Sequence, residues 1–226
     1  MSRTILVFVG PPGSGKGTQS DMLSELTDLP AISTGELLRH EQKIGSTVGR
    51  KVRGLMSSGK LVSASLVDHL LKLRLSKPDT KKGFMIDGYP RNESQFKNLL
   101  KFIKGDDRLY FIEFQVPDRE VVTRLSGRRI CDCGASYHIM YNPPKITGKC
   151  DLCDRSLRQR SDDKPGVIRA RLKEYHHSIR PLLERASGRG SIIVIDGERS
   201  ISTINRELKA KLKSFGVLKK KKVVKK

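Results

Sequence analysis

Leu6-Val7-Phe8-Val9-Gly10-Pro11-Pro12-Gly13-Ser14-Gly15-Lys16-Gly17-Thr18-Gln19 is the stretch whose reading decides the fold. An apolar, β-branched run breaks into a glycine-rich turn and then into a helical pattern, which is the strand, loop and helix of a phosphate-binding loop. Glycines at 10, 13, 15 and 17 let successive backbone N–H groups face one concavity, and the first N–H groups of the following helix add positive potential there. Gly13, Ser14, Gly15, Lys16, Gly17 and Thr18 are therefore the candidate phosphate cradle, with Lys16 reaching the outer phosphates. Ser or Thr usually follows the lysine directly; here Gly17 intervenes and Thr18 comes one place later.

Working outward, short apolar runs alternate with amphipathic segments. Helical patterns are expected over 15–27, 34–41, 46–57, 66–75, 118–126, 167–184 and 201–212, and strands near 31–33, 83–87, 109–116 and 191–197. That alternation predicts an α/β P-loop fold of three layers, a parallel sheet with helices on both faces and right-handed crossovers. The chain of 226 residues suits one core with small insertions. Its early apolar run, Ile5 to Val9, is too short for a signal peptide or a membrane span, and a cytoplasmic location is the expectation.

Forty-five Lys and Arg against 24 Asp and Glu give a net charge of +21, and the run from Lys219 to Lys226 supplies six of those charges. The remaining +15 is spread over the body, which suits polyanionic ligands such as nucleotides and allows weak, salt-sensitive RNA association of a solvated, disordered tail at 217–226.

In Gly83-Phe84-Met85-Ile86-Asp87-Gly88-Tyr89-Pro90-Arg91 a buried strand delivers Asp87 to the same sheet edge as the phosphate loop, where a carboxylate can orient hydrated magnesium. Arg124, Arg128 and Arg129 form Arg-x-x-x-Arg-Arg, and guanidinium forks suit phosphate oxygens. Composition then changes over 127–163, which holds turns, short β-like pieces and all four cysteines. Cys131-Asp132-Cys133 and Cys150-Asp151-Leu152-Cys153 nearly reproduce two zinc knuckles. Free thiols or a disulfide are the alternatives.

These motifs resemble the nucleoside monophosphate kinases, and within them the adenylate kinases, from Leu6 to about Leu212. The likeness rests on Gly-x-Pro-Gly-x-Gly-Lys-Gly-Thr, on Ser33-Thr34-Gly35-x-x-x-Arg39, on Asp87-Gly88-Tyr89-Pro90-Arg91 (Tyr where the family has Phe) and on the cysteine-bearing insertion. The resemblance implies transfer of the terminal phosphoryl of ATP to AMP, giving two ADP, with magnesium as cofactor and structural zinc in a lid. It implies that Thr34, Arg39, Lys60, Leu61, Val62, Gly88, Tyr89, Pro90, Arg91 and Gln95 bind AMP. Arg124, Arg128, Arg160 and Arg171 would close on the phosphates beside Lys16 and Arg91, Arg160 and Arg171 also on the AMP side. Ser136, Tyr137 and Arg199 would join Arg128 and the phosphate cradle around ATP. Asp87 would hold magnesium through water, and Cys131, Cys133, Cys150 and Cys153 would hold zinc.

The implied organisation is a core of 1–32, 63–126 and 164–216, an AMP-binding subdomain of 33–62 and a lid of 127–163. A monomer and a cis bond before Pro90 are further expectations of the resemblance. The Cys-x-Cys pair departs from the family, which has two intervening residues. The same features admit a UMP or CMP kinase, or one using GTP. From another class, they admit a basic zinc-containing nucleic-acid-binding protein; Thr34, Gln95 and the long lid favour AMP and ATP, and the scarcity of aromatic residues disfavours RNA as the primary ligand.

Overall fold

The computed structural model describes residues 2–186, 188 and 190–218. The lysine run beyond Leu218 lies outside the described residues. Five strands, β1 (Thr4–Val9), β2 (Ala31–Ser33), β3 (Gly83–Asp87), β4 (Arg108–Gln115) and β7 (Ser191–Asp196), form one sheet in the order β2-β3-β1-β4-β7, every neighbouring pair parallel. Two further strands, β5 (Arg128–Ile130) and β6 (Ser136–His138), make a small antiparallel pair in the cysteine-bearing insertion.

Because both faces of a parallel sheet are covered by crossover helices, its strands are apolar on both sides. All six residues of β1 are buried. Ile5, Val7 and Val9 pack with Leu71 of α4 (Ala64–Leu75), Phe96 and Leu99 of α5 (Glu93–Phe102) and Leu182 and Leu183 of α8 (Arg180–Ala186). Leu6 and Phe8 meet the other layer, Leu23 of α1 (Lys16–Ser24) and Ile204, Leu208 and Leu212 of α9 (Ile201–Ser214). Inside that second layer Asn205 donates to Gln19 (3.0 Å) and Gln19 to the Ile201 carbonyl (3.0 Å), so two buried amides satisfy one another between α1 and α9.

The segment expected to bind AMP folds as α2 (Thr34–Lys43) and α3 (Thr47–Ser57). Ser33 and Ser46 accept the N–H groups of Glu36 and Gly49 and cap the two helices. After β4, α6 (Asp118–Gly127) runs into the insertion, and α7 (Pro165–Glu174) leads out of it; Val121 and Leu125 of α6 pack on Ile168 and Leu172 of α7.

Sequence periodicity predicts one helix over 167–184, and here the structure differs. α7 ends at Glu174, a π-helical turn spans Tyr175–Ile179, and α8 follows. Leu172 serves the α6 contact whereas Leu182 and Leu183 serve the sheet, and the widened turn re-aims the apolar face between these two partners. The first helix is likewise shorter than the expected 15–27. Among the described residues no helix is long and apolar enough to cross a membrane.

Candidate active site

Parallel strands bring their carboxyl ends to one edge, and ligands bind in the crevice outside that edge. In register, Ser33 of β2 pairs with Asp87 of β3, and Asp87 with Phe8 of β1, so the phosphate loop, Asp87 and the start of α2 open into one space. That space is a cleft of 1220 Å³, lined by residues of the phosphate loop, α2, the end of β3, the insertion and α7. Pockets for a single small ligand are roughly 300–1,000 Å³, so this one has room for more than one.

Gly10 and Gly13 have φ of 150° and 76°; a side chain at the first would strike the Phe114 carbonyl and at the second Leu125, so only glycine lets the loop turn this tightly. Lys16 Nζ donates to the carbonyls of Gly10 (2.9 Å) and Pro11 (2.7 Å) and to Ser14 Oγ (3.1 Å). Burial pushes Lys16 down to about 8, with nearby Asp87 opposing the shift. A Cβ on Gly17 would lie 3.8 Å from Asp87 Oδ2, so the carboxylate sits over the start of α1.

Beyond β3 the chain turns through the cis bond Tyr89–Pro90, as expected. Thr34 Oγ1 donates to the Gly88 carbonyl (2.8 Å), Arg91 Nε to the same oxygen (2.8 Å), and the Arg91 N–H to Gln95 Oε1 (2.7 Å). Asn92 caps α5 by accepting from the Gln95 N–H (2.9 Å). The Tyr89 hydroxyl donates to Asp68 (2.7 Å), which also accepts from Asn98 (2.6 Å). Lys60, Leu61 and Val62 line the cleft with Arg39.

The arginines are held by carboxylates that sequence reading had not assigned. Asp163, fully buried, accepts both Arg128 Nε (2.8 Å) and an Arg128 terminal nitrogen (2.6 Å). Arg171 pairs with Asp162 (3.0 Å) and lies 3.5 Å from Asp163. Glu36 Oε1 receives Arg39 (2.7 Å) and Arg160 (2.8 Å) together. Arg124 pairs with Glu120 (2.7 Å) and lies over the Tyr141 ring. A local signal was available for one of these, since Glu36 stands one helical turn before Arg39; Asp162 and Asp163, which come after Arg160-Ser161, pair instead with Arg171 and Arg128. Burial, then repulsion from Arg128 and other neighbouring arginines, brings Arg160 and Arg171 down to about 10, still charged at neutral pH.

Among the described residues, Arg39 Nε and Arg160 Nε are the buried side-chain nitrogens and oxygens left without a hydrogen bond. Two orphaned guanidinium donors beside a large cleft suit a phosphate, which accepts many such bonds. Arg199 is half exposed at the far rim, paired with Asp196 (2.9 Å) and Glu207 (3.2 Å). Ser136 and Tyr137 line the cleft, while the Tyr137 hydroxyl contacts Cys150 Sγ (3.6 Å) and accepts from the Asp151 N–H.

The four cysteine sulfurs lie within 4.8 Å of one another, with Cys131–Cys153 and Cys133–Cys150 each at 3.5 Å. Tetrahedral zinc with Zn–S bonds of about 2.3 Å needs sulfurs about 3.8 Å apart, so the cluster fits that ion in spite of the one-residue spacer. Arg155 Nε donates to Cys153 Sγ (3.3 Å) and holds that thiol down at about 6, toward the thiolate a metal requires. His138 is not part of the cluster. It is buried, its Nδ1 accepts the N–H groups of Met140 and Tyr141 (3.0 Å each), and its ring stacks on Tyr141.

Comparison with known proteins gives a family model, described as adenylate kinase, that matches residues 8–190. An adenylate kinase of Methanothrix thermoacetophila is 43% identical over 212 residues, covering 93% of this chain and 99% of that protein. Adenylate kinases of Thermosipho melanesiensis (42% over 206 residues; 90% and 96% covered) and Methanocella arvoryzae (43% over 212; 92% and 98%) are similarly related.

Proposed function

The chain belongs to the adenylate kinase family, whose reaction is the reversible transfer of the terminal phosphoryl group of ATP to AMP, and we propose how its residues divide that task. The reading is carried by one observation: a single cleft lined by the phosphate loop and seven arginines, two with orphaned buried Nε donors. Gly13 to Thr18 cradle the ATP phosphates, with Arg199, Ser136 and Tyr137 toward the base. Thr34, Gly88 and Gln95 receive the AMP base, Lys60, Leu61, Val62, Tyr89 and Pro90 flank it, and Arg39, Arg91, Arg160 and Arg171 grip its phosphate.

The AMP phosphate has a second pKa near 6 and is already ionised at neutral pH, so the nucleophile needs no general base. Catalysis is then alignment and charge neutralisation: Lys16, Arg124 and Arg128 face the oxygens on which negative charge is shared as the phosphoryl passes between nucleotides. Magnesium bound with ATP would supply divalent charge to offset that of the phosphates, and Asp87 would hold it through water. Zinc on Cys131, Cys133, Cys150 and Cys153 would be structural and would supply folding energy, since four protein ligands leave no open position for chemistry.

Residues 127–163 act as a lid and 33–62 as an AMP-binding subdomain on the core of 1–32, 63–126 and 164–216. Closure excludes the water that would otherwise take the phosphoryl group, and reopening limits turnover. The protein works as a cytoplasmic monomer, and the run of lysines after Leu218 gives weak, salt-sensitive contact with RNA.

The test is ADP formation with ATP and magnesium against AMP, UMP, CMP and GMP, with a control lacking acceptor. Turnover with AMP alone is expected. Preference for another acceptor would reassign Thr34 and Gln95, and no transfer would return weight to nucleic-acid binding. Lys16→Met, Arg91→Ala and Arg128→Ala should each lower kcat by about two or more orders of magnitude with the fold intact.

A further inference from the structure

The lid has very little core of its own. Cys131, Tyr137 and Cys150 are its buried centre, with Ala135, Cys153 and Leu157 packed around them. So small a cluster cannot hold two turns together by apolar burial, and the cysteines must do it. The two turns are 131–134, closed by the Gly134 N–H on the Cys131 carbonyl (3.0 Å), and 150–154, closed by the Asp154 N–H on the Cys150 carbonyl (2.9 Å).

The sulfurs are not equivalent. Cys131 and Cys150 are buried, Cys153 is half-buried and carries the Arg155 donor, and Cys133 is exposed. The shortened spacer produces this difference: with one residue between the ligands, Cys133 falls at the outer corner of its turn, immediately before Gly134 at φ 101°. Both sulfur pairs at 3.5 Å run across the turns, Cys133 with Cys150 and Cys131 with Cys153.

We propose that Cys133 is an oxidant-sensing modification site, and that hydroperoxides exchange the zinc for two disulfides, Cys133–Cys150 and then Cys131–Cys153. The metal-loaded starting state rests on the zinc reading above. In the first step the Cys133 thiolate attacks the peroxide; the O–O bond breaks, Cys133 becomes a sulfenic acid and alkoxide or hydroxide leaves. The Cys150 thiolate then attacks the Cys133 sulfur, forming the S–S bond and releasing hydroxide. Zinc has lost two of its four ligands and departs, and a second peroxide equivalent couples Cys131 to Cys153 in the same way. Each bond joins the turn at 131–134 to the turn at 150–154, as the metal had. Disulfides within the turns, Cys131–Cys133 or Cys150–Cys153, would join nothing.

The experiment uses the full chain, its zinc content measured first, titrated with hydrogen peroxide. Zinc release is followed with a chromogenic chelator, and thiols are trapped and mapped by non-reducing peptide mass spectrometry. Cys133 should be modified at least about tenfold faster than Cys131 or Cys150, as thiolate exposure dictates. One zinc should leave per Cys133–Cys150 bond. The doubly cross-linked protein should keep kcat within about threefold, because the staple has been replaced and not lost. Initial modification at Cys131, Cys150 or Cys153, or disulfides within either turn, would overturn the proposal. A protein that carries no zinc would overturn the metal reading and the zinc exchange with it, whereas the site of first oxidation and the pairing of the thiols are decided separately by the same peptides.

Discussion

Burial lowers Lys16 to about 8 while its ammonium rests on the loop carbonyls of Gly10 and Pro11. Incoming phosphate replaces, with negative charge, the stabilisation of the ammonium that burial took away with its hydration, so binding should raise this pKa and draw in a proton. Calorimetry of ATP binding at pH 8 to 9, in buffers of different ionisation heat, should register uptake of a fraction of a proton, and Lys16→Met should abolish it. Asp163 is the second residue with consequences. Asp163→Asn keeps the shape but removes the charge that holds the Arg128 fork, and misplacement of that fork should cost about 10- to 100-fold in kcat. Tyr89 stands where the resembled motif has Phe, and its hydroxyl bond to Asp68 explains the tyrosine. Tyr89→Phe should lower unfolding free energy by about 1–2 kcal/mol, read as a shifted denaturant midpoint at constant slope, with KM for AMP little changed.

Among the elements, the joint between α6 and the lid turns on Gly127 and His138. A methyl group at Gly127 would fall on the His138 ring, so Gly127→Ala should disturb the lid without touching the phosphate loop, and hydrogen exchange should rise over 128–142. Burial lowers the His138 pKa, and its Nδ1 already accepts two backbone donors. Because the folded pKa lies below the unfolded one, this turn has its full stability above the unfolded value near 6.5 and loses it as pH falls through the folded value. Exchange at Met140 and Tyr141 measured between pH 7.5 and 5 should accelerate toward acid. These elements also mark the limits of sequence reading. The phosphate loop, the strand ending at Asp87 and the cysteine insertion were legible because each carries its own local signature. The π-helical turn was not, because Leu172 and Leu182 keep one apolar pattern while facing different partners. The carboxylates at Glu36, Asp162 and Asp163 were visible as residues; their pairing with arginines from distant segments was not.

Across the whole molecule, charge and topology are separable. The strand order follows from alternating helices and strands, and the cleft follows from parallel strands ending together. The excess of +21, six charges of which come from the lysines after Leu218, bears on partners and solubility and not on the choice of fold. Ending the chain at Leu218 should leave kcat and thermal midpoint unchanged while removing salt-sensitive retention on single-stranded RNA, measured by binding at 50 and 200 mM salt. The proposed lid closure is tested at the same scale: addition of magnesium with both nucleotides should shrink the radius of gyration seen by solution scattering, and neither nucleotide alone should give the full change.

Arg108 opens β4 at the end of the sheet away from the cleft. Its N–H donates to the Arg3 carbonyl (2.9 Å), and its guanidinium reaches Thr4 Oγ1 (3.1 Å) and the Gly216 carbonyl (3.3 Å). The start of β1 and the chain just after α9 are thus neighbours at the end of the sheet opposite the cleft. A short peptide could join them and new termini could be cut in a surface loop, and a bead or electrode attached there would leave the working side facing the solution.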